Sequence, residues 1–216
     1  MKKFCFKKVI VMSVVALFLA QALYMFAFEP TILSATDDSD DVIVTLNVEA
    51  GLTLSDGANV TMSPPIGISA NSSIGGSYWI ATTNNESGYT LAVKASTSPA
   101  LKSGTNSFAD YTTTVTDTPE TWSADSGTYQ FGYSVNGNDV STSTWGTATT
   151  CGSSGVPDTS GKYRGFTTSD INVASTSTVT PFTGTQTNIC FAAEQNGVFA
   201  PSGSYTATIT ATMTAS

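Results

Sequence analysis

The sequence predicts an all-β fold: a single β-sandwich of about 8–10 short strands with Greek-key-like links, preceded by an N-terminal signal or anchor helix. Three observations support this prediction. Apolar and polar residues alternate with a period of two in several short segments after residue 41. Clusters of Gly, Asn and Asp separate those segments, and none of the segments has the 3.6-residue period of an amphipathic helix.

The start of the chain has the pattern of an export segment. Its basic end contains Lys2, Lys3, Lys7 and Lys8. Residues 9–28 follow as an almost unbroken apolar stretch, longer than a signal-peptide core of about 7–15 residues and close to the roughly 20 of a spanning helix. Residues 1–35 are therefore predicted to be a cleaved signal peptide or a retained anchor. In both cases this segment engages the membrane during export, and the rest of the chain is extracellular or on the cell surface.

Residues 36–41 read TDDSDD, an acidic run with no apolar period. We expect a spacer here, between the export segment and a domain over residues 42–216. Carboxylates are also the oxygen ligands that calcium prefers. No Asp-x-Asp-x-Asp-Gly loop follows, so calcium binding stays an open alternative to the spacer.

The period of two places the first strands of the domain. Residues 42–48 are predicted to form a strand, because Val42, Val44, Leu46 and Val48 alternate with other residues. Residues 78–83 and 89–95 are predicted to pair as a hairpin, with one apolar face made by Tyr89, Leu91, Val93 and Ala95. Residues 64–76, rich in Pro, Gly and Ser, are predicted to be a loop.

Further strands complete the predicted sandwich. Residues 129–135 alternate cleanly and lead into Asn136-Gly137, a strong signal for a hairpin turn. Residues 141–162 are predicted to be a long loop. Other strands are predicted over residues 52–54, 60–62, 112–116, 163–166, 171–174, 187–193 and 204–215.

The cysteines indicate one disulfide. Cys5 lies in the export segment, which leaves Cys151 and Cys190 as a pair. Outside the cell such a pair is expected to be oxidised. Two free buried thiols are the alternative.

Charge and composition exclude several functional classes. The formal net charge is −8, and past the export segment the basic residues are Lys94, Lys102, Lys162 and Arg164. Nucleic-acid binding needs clustered Lys and Arg, so nucleic acid is not an expected partner. The chain contains no His, which removes triad catalysis and the commonest zinc ligand.

We therefore expect a protein that is not an enzyme and that needs no metal or other cofactor. Paired carboxylates of the glycosidase type stay open, because such pairs meet in space and not in sequence. The candidates are Glu86, Glu120 and Glu194, for which solvated carboxylates at turns are the alternative reading.

Two features are candidates for binding. Trp122, Trp145, Tyr111 and Tyr163 lie in or near Ser/Thr/Gly-rich segments and could stack on sugar rings, or else close the ends of the sandwich. The last strand is the second feature, with Tyr205, Ala207, Ile209, Ala211 and Met213 on one side and threonines on the other. It could add to a neighbour's sheet edge or pair within its own sheet.

The run SYWIATTNN followed by GYTL, within residues 77–91, resembles a central stretch of small exported surface proteins of bacteria. The ending GSYTATITATM of residues 203–213 resembles the closing strand of WxL domains, which are β-rich cell-wall modules. The resemblance implies a similar fold and an exported surface role. Trp79-Ile80-Ala81 and Ala211-Thr212-Met213 stand where the family has Trp-x-Leu, so both motifs depart from its pattern.

The sequence thus predicts an exported, non-enzymatic bacterial surface protein that binds cell-wall polymer or other surface proteins. A self-assembling fimbrial or coat-type subunit that uses the C-terminal strand is one alternative. A carbohydrate-binding module is the other.

Overall fold

The computed structural model describes residues 41–216. The predicted export segment and the acidic spacer as far as residue 40, with its calcium alternative, lie outside the described residues. The chain divides at Asn47, so that residues 41–47 belong to an N-terminal unit and residues 48–216 form the second unit. Strand residues make up 42% and helical residues 2% of the structure, which confirms the predicted all-β class.

The second unit contains twelve strands of two to twelve residues and one helical turn. The strands are β1 (Leu52–Leu54), β2 (Ser72–Thr83), β3 (Tyr89–Ala95), β4 (Lys102–Ser103), β5 (Asn106–Ser107), β6 (Ala109–Asp110), β7 (Thr128–Gly137), β8 (Gly152–Ser153), β9 (Val156–Pro157), β10 (Ile171–Thr176), β11 (Thr185–Asn196) and β12 (Ile209–Ala215). The helix α1 (Thr142–Trp145) is capped by Ser141, whose side chain accepts from the Thr144 N–H. Within residues 41–216 no helix is both long enough and apolar enough to cross a membrane.

Two larger sheets contain most of the strands. The five-stranded sheet has the order β1-β2-β11-β7-β6, and the three-stranded sheet has the order β10-β3-β12. Neighbours in these sheets are antiparallel, except that β6 runs parallel to β7. β4 and β5 form a small separate hairpin, as do β8 and β9.

Both larger sheets contribute side chains to one hydrophobic core. Its members from the strands include Trp79, Ala81, Tyr89, Leu91, Val93, Ala95, Phe131, Tyr133, Val135, Val173, Ile189 and Ala193. The rings of Tyr133 and Phe166 stack at 4.3 Å between centroids. The apolar faces predicted for residues 89–95 and 129–135 point into this core, because alternate residues of a strand share a face.

The predicted strand over residues 42–48 is not formed. These residues lie in no strand of the described chain, and Val42, Val44 and Leu46 are 82%, 87% and 82% exposed. A strand needs a neighbouring strand that hydrogen-bonds its backbone N–H and C=O groups. An alternating sequence does not by itself provide that neighbour.

The predicted hairpin of residues 78–83 and 89–95 is wrong. Both strands exist, but β2 lies between β1 and β11 whereas β3 lies between β10 and β12. The connection therefore crosses from one sheet to the other. Asn84 fixes its start, since Oδ1 accepts from the Gly51 N–H at 2.5 Å and Nδ2 donates to the Glu49 carbonyl at 2.7 Å.

The predicted turn at Asn136-Gly137 is also wrong. β7 continues through both residues, with Asn136 opposite Asn188 and Gly137 opposite Thr187. An Asn-Gly turn of this kind needs positive φ at both residues, and of the two only Gly137 has one, at 151°. The long partner strand β11 keeps β7 extended instead.

Several strand boundaries differ from the prediction. β2 begins at Ser72, inside the predicted loop of residues 64–76. Residues 60–62 and 112–116 form no strand. Tyr163 and Arg164 make only single bridges, to Glu120 and Tyr133. The last strand starts at Ile209, so Tyr205 and Ala207 of the predicted terminal strand precede it.

Candidate ligand-binding groove

The outer face of the five-stranded sheet can be assigned from the pairing register. In β11 the odd-numbered Ile189 and Ala193 point into the core, so the even-numbered residues face outward. Directly paired residues share a face. The outward rows across β2, β11 and β7 are therefore Tyr78–Asn188–Asn136, Gly76–Cys190–Ser134, Ile74–Ala192–Gly132 and Ser72–Glu194–Gln130.

A second hydrophobic cluster covers the middle of this outer face. It consists of Tyr111, Tyr163 and Ala192, with Trp122 packed against them. The Tyr111 and Trp122 rings stack at 4.5 Å, and Trp122 meets Tyr163 edge-on at 5.5 Å. Gly132 allows Tyr111 to lie close to the sheet, because a Cβ at position 132 would lie only 2.8 Å from the Cβ of Tyr111.

Carboxylates hold the cluster in place. The Trp122 Nε1–H donates to Glu194 Oε2 at 2.6 Å. Glu120 Oε1 accepts from the backbone N–H of Thr114 at 3.0 Å. Both carboxylates therefore serve as acceptors for the loops above the sheet. Glu86, the third candidate acid, is exposed in the connection between β2 and β3.

Burial shifts the titration of the tyrosines in this cluster. Removal from water disfavours the phenolate and raises the pKa of Tyr163 to about 12. The same cause raises the pKa of Tyr111, which the nearby Glu120 carboxylate raises further. Beside them, the buried Arg164 donates from Nη2 to Asp117 Oδ1 at 2.6 Å.

The predicted disulfide is confirmed. Cys190 lies in β11 and Cys151 lies in the loop after α1, and their sulfurs are bonded. The bond fastens this loop to the outward row that contains Gly76. The loop then forms one wall of a groove whose floor is the outer face of the sheet.

This groove has a volume of about 380 Å³. Its floor is formed by Tyr78, Asn136, Asn188 and Gln186, and its wall by Thr149, Thr150 and Cys151. The Tyr78 side chain remains 48% exposed. The groove thus presents one aromatic ring beside a row of amides.

The amides form a hydrogen-bonded chain. Gln186 Nε2 donates to Asn188 Oδ1 at 2.6 Å, and Asn188 Nδ2 donates to Asn136 Oδ1 at 2.7 Å. Each amide nitrogen carries two hydrogens, so each keeps one for another acceptor. A floor held in this way is pre-organised, which lowers the entropy cost of binding.

The groove lining is polar and uncharged. No Lys, Arg, Asp or Glu is among the residues that line it. Asp158 contacts the lining from outside it, since its Oδ2 accepts from the Thr150 hydroxyl at 3.0 Å. Amide and hydroxyl groups beside an exposed ring suit a ligand with many hydroxyls and an apolar face, and such a ligand is a saccharide.

The four aromatic residues that the sequence offered for stacking do not line the groove. Trp145, Tyr111 and Tyr163 are buried, with Trp145 against Tyr133 at 5.3 Å. Trp122 is half-buried under Tyr111 and bonded to Glu194. The structure therefore uses all four to pack loops onto the sheet.

The sequence does not predict the residues of the groove. It predicts a hairpin strand at Tyr78 and a turn at Asn136. They meet because β2 and β7 both pair with β11, and this pairing joins segments far apart in the chain. The only feature of the local sequence that points to the groove is the polar residues at the outward positions of the strands.

The predicted assembly strand lies at a sheet edge. β12 pairs with β3 of its own chain, with Ile209 opposite Ala95 and Ala215 opposite Tyr89. It is the last strand in the order β10-β3-β12. The five apolar residues predicted for the assembly strand are half-buried and pack against the core. They are Tyr205, Ala207, Ile209, Ala211 and Met213.

A second groove, of about 420 Å³, lies between residues 67–71 and 195–199. Of the three amide side chains that line it, those of Gln195 and Asn196 are already bonded within the protein. Gln195 bonds the Gly67 carbonyl and the Ala200 N–H, and Asn196 Nδ2 bonds the Ala124 carbonyl. This groove is therefore the weaker candidate for a polar ligand.

Within residues 41–216, no three side chains of the His, Cys, Asp and Glu types gather into a metal site. Comparison with family models, with characterised proteins and with solved structures gives no match to this chain. The chemistry of the groove is therefore the basis for proposing a function.

Proposed function

We propose that this chain is an exported, non-enzymatic surface protein that binds a neutral saccharide of the cell wall in the groove of Tyr78, Asn136, Gln186 and Asn188. The amide chain across β11 and β7, beside the exposed ring of Tyr78, is the observation that carries this proposal. The uncharged lining favours a neutral sugar over an anionic polymer, because an anion would need compensating cations.

The fold supports a binding module. We infer that the two larger sheets are the layers of one β-sandwich, since residues of both share a single core. Such a scaffold holds the groove rigidly, because the floor lies on strands and a disulfide holds the wall. Export fits the disulfide, which persists only where the surroundings are oxidising.

The test is a binding assay with two insoluble probes, chitin and purified peptidoglycan. Tyr78→Ala should weaken binding about tenfold or more, which corresponds to about 1.4 kcal/mol. Asn188→Ala should have a similar effect, because it breaks the amide chain. The matched controls are Phe182→Ala, which removes a fully exposed ring outside the groove, and Asn172→Ala, which removes an exposed amide in β10.

Binding that survives both groove substitutions would contradict the proposal. Equal losses in Phe182→Ala and Tyr78→Ala would contradict it too, since they would indicate nonspecific adhesion through exposed rings. Retention on heparin in place of chitin and peptidoglycan would assign the surface to a polyanionic ligand instead.

A further inference from the structure

The amide chain on the floor of the groove has a direction. Gln186 Nε2 donates to Asn188 Oδ1 at 2.6 Å, and Asn188 Nδ2 donates to Asn136 Oδ1 at 2.7 Å. Asn136 Nδ2 in turn donates to Cys190 Sγ at 3.7 Å. Every donation therefore runs the same way, from Gln186 toward the disulfide, and this sets the orientation of all three amide groups.

The amide chain is open at Gln186. The side-chain oxygens of Asn188 and Asn136 each accept a bond from the amide before them, whereas no donor from residues 41–216 reaches Gln186 Oε1. The Gln186 side chain is exposed, so a ligand has access to it. An amide whose N–H donates into such a chain is polarised, which makes its own oxygen a better acceptor. Gln186 thus offers an acceptor to a ligand that carries an N–H or O–H donor.

An apolar side chain lies opposite this acceptor. The register of β2 and β11 places Ile80 directly across from Gln186. The next outward pair along these strands is Tyr78 and Asn188. Directly paired residues share a face, so Ile80 and Tyr78 both lie on the outer face of β2. Ile80 is half-buried and Tyr78 is 48% exposed, and the free amide oxygen therefore has apolar surface beside it.

An acetamido group matches this arrangement of an acceptor beside an apolar side chain. In a planar trans amide, the N–H and the methyl carbon lie on the same side of the C–N bond, and the carbonyl oxygen lies on the other. The N–H then donates to Gln186 Oε1 while the methyl group rests on Ile80. A hydroxyl group supplies the donor without the methyl group, and a carboxylate supplies neither.

We infer that the saccharide bound in the groove is N-acetylated, and that Gln186 selects it by accepting the hydrogen bond of the acetamido N–H. This inference rests on the proposed function and narrows its ligand from neutral saccharides in general to those with acetamido groups. Gln186 is then the residue that determines specificity. Tyr78 has a different role, because an aromatic ring stacks on the apolar face of a sugar whether or not that sugar is acetylated.

The test compares two soluble ligands that differ at one position of each sugar ring. Chitohexaose carries an acetamido group where cellohexaose carries a hydroxyl group, and the two are alike in linkage and in length. The dissociation constant of each is measured on the full-length chain by isothermal titration calorimetry. The wild type is expected to bind chitohexaose about tenfold more tightly, at the low end of what one added apolar group contributes to discrimination.

Two substitutions divide the acetamido contact into its parts. Gln186→Met removes the acceptor and keeps the length of the side chain. It should weaken chitohexaose binding by about threefold to tenfold, the range for one hydrogen bond, with a smaller effect on cellohexaose. Ile80→Thr keeps the β-branched shape but removes apolar surface, so it should weaken chitohexaose binding about fourfold and leave cellohexaose unchanged. The control Asn172→Leu removes an exposed amide of the other sheet and should change neither constant.

Equal binding of the two hexasaccharides by the wild type, if it is lost in Tyr78→Ala, would overturn the inference and leave the proposed function intact. This comparison needs no change at Gln186, so the inference can fail even if a variant does not fold. A preference for chitohexaose that survives Gln186→Met would overturn it as well.

An equal loss of both ligands in Gln186→Met would also contradict the inference, because Gln186 would then recognise a group common to both. Failure to bind either hexasaccharide, chitin or peptidoglycan would instead overturn the proposed function itself. The melting temperature of each variant without ligand shows whether a loss of binding is due to unfolding.

Discussion

Gly76 lies directly against the sulfur of Cys151. A Cβ built on Gly76 would come within 2.7 Å of that Sγ atom. This is well below the distance at which a carbon and a sulfur atom are in van der Waals contact. The residue is glycine because the disulfide crosses the outer face of β2 at this point. Gly76 has no positive φ, so its role is to leave space and not to allow an unusual backbone.

Gly76→Ala should therefore destabilise the protein by about 1–3 kcal/mol, the usual cost of overpacking. The change should appear in the midpoint of denaturant unfolding. Gly67→Ala is the matched control, because a Cβ there meets nothing within 4 Å and the effect should be small. Equal effects of the two substitutions would mean that Gly76 matters through backbone entropy alone.

Replacing both Cys151 and Cys190 with Ser should lower the free energy of unfolding by about 4 kcal/mol. The bond closes a loop with a sequence separation of 39, and the chain-entropy model gives about that value for such a loop. Denaturant unfolding with and without a reductant measures it. Reductant should affect the wild type and leave the double variant unchanged; a loss far below 1 kcal/mol would argue that the loop stays docked without the bond.

Trp122→Ala should cost stability without affecting saccharide binding. The substitution removes the stack on Tyr111 and the hydrogen bond to Glu194, so a loss at the low end of the roughly 3–5 kcal/mol for buried aromatics is expected. Trp122→Phe keeps a smaller ring and loses the donor, and loss of the hydrogen bond to Glu194 should cost about 1.5–3 kcal/mol. Thermal unfolding and the chitin assay should be run on both variants. A variant that loses binding but keeps the stability of the wild type would indicate that Trp122 contacts the ligand.

The buried tyrosines should make the protein sensitive to alkali. In the unfolded chain tyrosine titrates near pH 10, whereas burial raises the pKa of Tyr163 to about 12 and also raises the pKa of Tyr133 and Tyr89. Above pH 10 the unfolded state therefore releases protons that the folded state retains. Stability is complete below pH 10 and should fall as the pH rises toward 12, by about 1.4 kcal/mol per pH unit for each such tyrosine.

The measurement is the free energy of unfolding between pH 9 and 12, followed together with the absorbance of the phenolate. Tyr163→Phe should reduce the slope of the free energy of unfolding against pH by the contribution of one tyrosine, about 1.4 kcal/mol per pH unit. A slope that does not change in this variant would show that Tyr163 titrates normally and has access to water.

Part of this protein was predictable from local sequence. The alternation of residues 89–95 predicts a strand and also which side of it is apolar, because a strand's side chains have a period of two whatever its partner. The disulfide was predictable because only two cysteines lie beyond the predicted export segment. The all-β class followed from the same local patterns.

The partners of the strands were not predictable in this way. Residues 78–83 and 89–95 carry a good hairpin signal, yet β2 and β3 lie in different sheets. Asn136-Gly137 carries a good turn signal, yet β7 runs through it beside β11. In both cases a long-range pairing with β11 or β12 outweighs the local preference, since it satisfies many backbone groups and buries an apolar face at once.

The sequence by itself determined which residues are apolar on one side and which cysteines can pair, because these properties belong to short stretches of chain. The tertiary structure alone decided that Tyr78, Asn188 and Asn136 form one row, that four predicted ligand aromatics pack loops onto the sheet, and that residues 42–48 form no strand. These outcomes depend on the order of strands, which is set by the combined free energy of contacts far apart in the chain and by no single segment.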